Sequence, residues 1–281
     1  MSHPALGRYL DALRDQTPLV HCMTNFVAMN STANLMLAIG ASPAMLHAQE
    51  EAPAFTELAQ ALSINIGTIS PPWAESMLAC AEVAGLHSTP WVLDPVAVGA
   101  TRYRQTLCEA LLARAPWVIR ANVSEVLALA GLESKGRGVD ADPAAQNAEH
   151  AAVTLARQQG CVVAMTGERD FVTDGARHAR VSGGHFLMPR VTTLGCGLSA
   201  IVAAFVAASP DDRFEATVAA LASFALAGRE AGERAKGPGS FQVELLDALY
   251  RLTPDALSNQ THWEVVAQPS GAAGSDAGAQ P

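Results

Sequence analysis

The sequence predicts an α/β domain built on a mostly parallel sheet. Short β-branched, apolar runs alternate with longer alanine-rich stretches, which is the arrangement of successive βαβ units. Four of the apolar runs stop at polar or glycine residues, as strands do when their carboxyl ends open onto a crevice. A late segment, CGLSAIVAAFVAA after Gly195, is apolar on nearly every face and reads as a helix buried in a core.

Taken in order, strands are expected at 19–22, 62–66, 91–93, 117–119 and 161–165, with an antiparallel pair at 171–173 and 178–181. The turn dipeptide Asp174-Gly175 joins that pair. Helices are expected at 31–39, 51–61, 73–82, 103–113, 124–130 and 144–159, with a polar, glycine-containing loop at 133–143. From Gln268 the sequence QPSGAAGSDAGAQP is of low complexity and without periodicity. The expected organisation is one domain over 1–267 followed by a disordered tail over 268–281.

Half of the 281 residues are apolar (49%) and 16% are charged, enough to bury a substantial core. No apolar run reaches the roughly 18–20 residues that a membrane span needs. The first residues carry Asp11 and Asp15 and no apolar signal core, so the expected location is the cytoplasm. Five cysteines (22, 80, 108, 161 and 196) show no CxxC spacing and indicate neither a disulfide framework nor a zinc site. The net charge is −9, and Lys135 and Lys236 are the two lysines. A nucleic-acid binder needs a basic face, and none is present in the pattern. The expected partner is a small molecule.

The strand ends carry the chemistry. Run 62–66 leads into Gly67-Thr68, 91–93 into Asp94-Pro95, 117–119 into Arg120-Ala-Asn122, and 161–165 into Thr166-Gly167-Glu168. The same residue types also serve as helix caps and turns, but four strands in agreement point to a site. Asp94 and Glu125 are the carboxylates best placed to hold a hydrated Mg²⁺, which in phosphoryl transfer needs one or two carboxylates and phosphate oxygens. Glu125 also fits an ordinary first-turn acid behind a Ser124 cap. Arg120, at the end of an apolar run, suits an anionic ligand.

The segment Val191-Thr-Thr-Leu-Gly195-Cys196-Gly197-Leu-Ser199-Ala200 places glycines ahead of an apolar helix, whose unsatisfied N–H groups form an anion hole. Cys196 at such an end has its thiol pKa lowered and becomes a proton acceptor for an attacking alcohol. A buried structural cysteine is the plain alternative. The spacing Gly195-x-Gly197-x-x-Ala200 also matches the dinucleotide fingerprint, but it falls late in the chain and no strand ending in an acid follows it. Neither lysine lies in a GK[ST] sequence, which excludes a P-loop kinase.

Seven blocks resemble the hydroxyethylthiazole kinases of the ribokinase-like superfamily, in order and with their spacing kept over roughly residues 15–252. They are Pro18-Leu-Val-His-Cys22-Met-Thr24-Asn25-Phe-Val-Ala-Met-Asn30, Gly40-Ala-Ser-Pro43-Ala-Met45, Asn65-Ile-Gly67-Thr68, Val92-Leu-Asp94-Pro95-Val96, Val118-Ile-Arg120-Ala-Asn122-Val-Ser-Glu125, Val163-Ala-Met-Thr166-Gly167-Glu168 and Gly237-Pro-Gly239-Ser-Phe241-Gln242. The resemblance implies a ribokinase-like fold with helices on both faces of the sheet. It implies ATP- and Mg²⁺-dependent phosphorylation of the primary alcohol of 4-methyl-5-(2-hydroxyethyl)thiazole, a salvage step toward thiamine. It further implies a homotrimer with active sites between subunits. Residue by residue, it places Asn25, Met45, Thr193 and Gly195 at the alcohol substrate and Arg120, Thr166, Gly167 and Gly197 at ATP. It places Asp94 and Glu125 at Mg²⁺, and Cys196 where most relatives in the superfamily carry an aspartate base. Two positions depart from the family pattern. Thr193 stands where a glycine is usual, and Ala97-Val98 stands in place of Gly-Ala. A β-branched residue tolerates positive φ poorly, so Thr193 is expected to narrow the pocket. A slow enzyme, a different heterocyclic alcohol and a non-catalytic thiazole-binding relative all stay open.

Overall fold

The computed structural model describes residues 5–131 and 141–266. Its strands are β1 (Leu19–Met23), β2 (Ser42–Ala44), β3 (Ala61–Asn65), β4 (Trp91–Asp94), β5 (Val118–Asn122), β6 (Val162–Thr166), β7 (Asp170–Thr173), β8 (His178–Ser182) and β9 (His262–Val265). They form one sheet in the order β2-β1-β3-β4-β5-β6-β7-β8-β9. Pairing is parallel from β2 through β6 and antiparallel from β6 to β9. Strands β3 and β4 are buried along their whole length, which is why they read as unbroken apolar runs rather than as alternation.

The helices are α1 (Gly7–Gln16), α2 (Met29–Ile39), α3 (Ala52–Leu58), α4 (Pro71–Leu86), α5 (Arg102–Leu112), α6 (Val123–Leu129), α7 (Ala141–Gln159), α8 (Leu194–Ala208), α9 (Arg213–Arg234), α10 (Pro238–Arg251) and α11 (Pro254–Gln260). One core joins α1, α2, α8, α9 and α10 to one face of the sheet. Two further clusters pack α4 and α5, then α6 and α7, onto the other face. Helix α8 crosses β1, β3 and β4 beneath α2 and α9, so nearly all of its surface is buried, as its uniform apolarity predicts. No helix among the described residues is long and apolar enough to cross a membrane.

Several boundaries differ from expectation. The helix expected over 51–61 ends at Leu58, because Ala61 opens β3. Arg120, Ala121 and Asn122 belong to β5 rather than following it, paired with Ala164, Met165 and Thr166. Positions 141–143 of the expected loop begin α7, while 133–140 and the tail over 268–281 lie outside the described residues. The two edge strands, β2 and β9, were not expected. Each is short, and pairing with a neighbour rather than local pattern defines it.

Arg14 closes the helical layer. Its guanidinium donates to the carbonyls of Leu252 (2.6 Å), Leu249 (3.1 Å) and Ile39 (3.2 Å), satisfying the carboxyl ends of α10 and α2 at once. Arg14→Ala should lower unfolding stability by about 2 kcal/mol, read from urea denaturation, because those carbonyls lose a charged donor.

Candidate active site

Strand register brings the polar residues into a line along the carboxyl edge of the sheet. Asn65 of β3 pairs with Asp94 of β4, and Asn122 of β5 pairs with Thr166 of β6. Asn25 lies just past β1. Facing this edge is the open end of α8, where Gly197 N–H bonds to Thr193 O at 3.0 Å. That bond commits the Gly197 amide, so it is not free to bind an anion as expected. The preceding amides, of Leu194, Gly195 and Cys196, are the ones at the unsatisfied end of the helix.

Asp94 is fully buried. Its Oδ2 accepts hydrogen bonds from Asn65 Nδ2 (2.7 Å) and Ser199 Oγ (2.8 Å), and Arg120 Nη1 lies 3.9 Å away. Its Oδ1 has no partner among the described residues. Burial pushes the carboxyl up to about 6 against the opposing pull of Arg120, and Glu125 adds to the rise. Such a group suits a cation or a hydrogen-bond donor supplied by a ligand. No group of three His, Cys, Asp or Glu side chains among the described residues could hold a metal by protein ligands alone. That is compatible with Mg²⁺, which binds through one or two carboxylates together with phosphates.

Glu125 stands in the first turn of α6, as one of its two expected readings had it. Asn122, not Ser124, caps α6, and the Asn122–Glu125 pair forms a reciprocal capping box. Glu125 Oε2 accepts from Asn122 N (2.9 Å), while Oε1 accepts from Ala97 N (3.0 Å) in the turn after β4. Glu125 therefore holds the Asp94 loop in place.

A chain of amides runs from Asp94 to Cys196. Asn65 Oδ1 accepts from Asn25 Nδ2 (2.8 Å) and from Gly67 N (2.9 Å). Asn25 Oδ1 takes the amides of Val27 and Ala28, both at 3.1 Å, so its Nδ2 must face Asn65 and Cys196 Sγ (3.3 Å). Cys196 is thus an acceptor, half-buried at the helix end, whereas the other four cysteines are buried. The expected lowering of its pKa does not occur. Burial first, and then Asp94, raise the thiol, outweighing the Asn25 bond.

Arg120 Nη2 donates to Thr166 Oγ1 at 2.6 Å, and its Nε is buried without a partner among the described residues. A Cβ at Gly195 would stand 2.7 Å from Arg120 Nη1, so a larger residue there would push the guanidinium aside. Arg120, Thr166, Gly167 and Gly195 line a cleft of about 900 Å³ that runs on to Asn122, Asp170 and an apolar wall including Phe186, Leu198 and Phe224. Polar groups at one end and apolar ones at the other suit a nucleotide. Asp170, which accepts from Gly167 N (3.0 Å), is held up to about 6 by burial. Met45 follows β2 at the same edge and packs, partly buried, on the core.

Four participants were not foreseen as site residues: Asn65, Ser199, Asp170 and Arg104. Ser199 lies one helical turn after Cys196, a spacing that could have signalled a shared face. Arg104 of α5 donates to the carbonyls of Ile66, Gly67 and Val96, tying the end of β3 to the turn after β4. Nothing local in its sequence marks it.

Both departures from the family pattern occupy left-handed backbone. Ala97 has φ 54° and Thr193 has φ 72°. For L-residues this conformation costs about 1–2 kcal/mol.

The sheet order, the carboxyl-edge crevice and the helix end facing a buried carboxylate define the ribokinase-like class of α/β proteins. Residues 10–255 match the sequence profile of the hydroxyethylthiazole kinase family. A hydroxyethylthiazole kinase of Cereibacter sphaeroides is 59% identical over 92% of this chain and 98% of its own length. The solved structure of a hydroxyethylthiazole kinase protein from Pyrococcus horikoshii OT3 is 40% identical, with a TM-score of 0.86 over 93% of this chain and 99% of that one. The ADP complex of Staphylococcus aureus pyridoxal kinase shares the fold at 15% identity, with a TM-score of 0.62 over 88% of this chain and 97% of that one. The chain belongs to the hydroxyethylthiazole kinase family.

Two stability predictions follow from this geometry. Ala97→Gly should stabilise the protein by about 0.5–1 kcal/mol in urea unfolding, because the left-handed turn no longer opposes a Cβ. For Asp94, the folded carboxyl keeps its proton to higher pH than the unfolded one. The contribution of Asp94 to native stability is therefore greatest below about pH 4 and is lost as pH rises through about 6. In metal-free protein, Asp94→Asn should raise stability at pH 7 by about 1–3 kcal/mol, and the gain should vanish near pH 4. Paired urea titrations at the two pH values measure it.

Proposed function

We propose that this chain transfers the γ-phosphoryl group of ATP to the primary alcohol of 4-methyl-5-(2-hydroxyethyl)thiazole, a salvage reaction toward thiamine. The observation that carries the reading is Cys196 at the open end of α8, joined through Asn25 and Asn65 to the buried Asp94. Family membership supplies the substrate class, and the cleft beside Arg120 supplies room for a nucleotide.

In this mechanism Arg120 and Thr166 hold the nucleotide phosphates, while the amides of Leu194, Gly195 and Cys196 face the equatorial oxygens of the transferring group. Cys196, as its thiolate, accepts the proton of the attacking hydroxyl as the new P–O bond forms and the bond from the γ-phosphorus to the departing ADP oxygen breaks. A loose phosphoryl-transfer transition state places small demands on base strength, so positioning outweighs it. Mg²⁺ would be held by Asp94, through its unpartnered Oδ1, with Glu125 beyond it. When bound, the ion neutralises phosphate charge.

The reading includes a homotrimer with sites between subunits and a cytoplasmic location. Phe26 and Val27, next to Asn25, leave 65% and 61% of their surface exposed, an apolar face that a second subunit would cover.

The test is ADP release from ATP and Mg²⁺ with and without the hydroxyethyl thiazole, beside other heterocyclic alcohols. Thiazole-dependent turnover is expected, and Cys196→Ala should lower kcat by about 10²-fold or more with the KM for ATP nearly unchanged. Because burial raises the thiol, kcat should climb as pH rises above neutrality. Saturable thiazole binding with no turnover would make the protein a binding relative on the same fold. Turnover with another alcohol alone would reassign the substrate.

A further inference from the structure

We propose that Ser31 and Thr193 are positioning residues, their hydroxyl pair locking the first turn of α8 against α2 and so holding Cys196 on Asn25. The inference rests on the reading of Cys196 as the proton acceptor. Three contacts join the same two segments. Asn25 Nδ2 meets Cys196 Sγ at 3.3 Å, and Ser31 Oγ meets Thr193 Oγ1 at 2.5 Å. Leu35 fills the space over Gly197, where a Cβ would stand 2.3 Å from Leu35 Cδ1. Ser31 and Leu35 lie one turn apart on α2, and positions 193, 196 and 197 span one turn at the start of α8, so the contacts form a row where the two helices meet.

Ser31 Oγ also lies 3.1 Å from the carbonyl oxygen of Ala28, which already accepts from Thr32 N at 2.8 Å, so either hydroxyl can donate across the short contact. In either direction the bond ties Thr193 to α2. A β-branched residue at φ 72° is held against its own backbone preference, and a strained residue persists only where its surroundings over-determine it. The tie to Ser31 does so. Without it, the Thr193 backbone is free to relax, and Cys196 moves with the turn.

The experiment compares Ser31→Ala, Thr193→Val, the double variant, and Ser31→Thr, which retains a hydroxyl. Kinetics with thiazole and ATP give the first readout. Ser31→Ala and Thr193→Val should each lower kcat by about tenfold with the KM for ATP within about twofold. The double variant should lose no more than the worse single, because both remove one interaction. Ser31→Thr should recover most of the loss.

Iodoacetamide labelling of Cys196 at fixed pH, followed by mass spectrometry, gives a readout independent of turnover, since the other four cysteines are buried. Labelling should speed up by about threefold in Ser31→Ala and Thr193→Val as the turn loosens, and not in Ser31→Thr. Unchanged labelling and unchanged kcat in Ser31→Ala would overturn the proposal. So would a rise in the KM for the alcohol alone in Thr193→Val, which would mean that the side chain touches substrate. If the parent protein shows no thiazole-dependent turnover, the proposed reaction fails, while the labelling comparison still decides whether the tie exists.

Discussion

A carboxylate buried with one oxygen unpartnered is the constraint around which the rest of this protein is arranged. Removing Asp94 from water raises its pKa and costs stability, and the surroundings return only part of that. Asn65, Ser199 and Arg120 approach one side of the group and leave the other free. To aim those three side chains, β3, β4 and β5 must bring Asn65, Asp94 and Arg120 into register, and α8 must cross β3 and β4. Arg104 and Glu125 then fix the two loops on either side, one by collecting carbonyls and the other by accepting amides. Stability is given up at the centre and recovered in the shell.

The same economy governs two of the left-handed positions, Ala97 and Thr193. Ala97 is held by the bond from its amide to Glu125, and Thr193 by the hydroxyl of Ser31. These two adjoin the crevice, and each has a polar contact to a neighbouring helix that keeps it in its conformation. Strain of this kind is tolerated where the structure around it is rigid, and α8, buried on nearly all sides, is rigid in that sense.

Cys196 shows how two opposing physical effects are decided by context. A helix end lowers a thiol pKa, and that effect can be anticipated from a glycine-rich run before an apolar helix. Burial beside a carboxylate raises it, and here burial is the larger effect. Position in the sequence announces the first effect, whereas only the burial of the sulfur beside Asn25, Asn65 and Asp94 supplies the second.

What the sequence determined by itself is the class of fold, the parallel strands at the centre, the helix behind Gly195 and the residues Asp94, Arg120, Thr166 and Cys196 as a set. These follow from short-range pattern: apolar runs without alternation, caps, turns and a helix apolar all round. Only the tertiary structure decided which of them touch. The path from Asp94 through Asn65 and Asn25 to Cys196 spans positions far apart in the chain and exists because β1, β3 and β4 are neighbours in the sheet. The edge strands β2 and β9, the grip of Arg104, the commitment of the Gly197 amide within α8 and the protonation preferences of Asp94 and Cys196 all belong to that second group. Each depends on what lies across a gap in space, and a one-dimensional pattern carries no record of that distance.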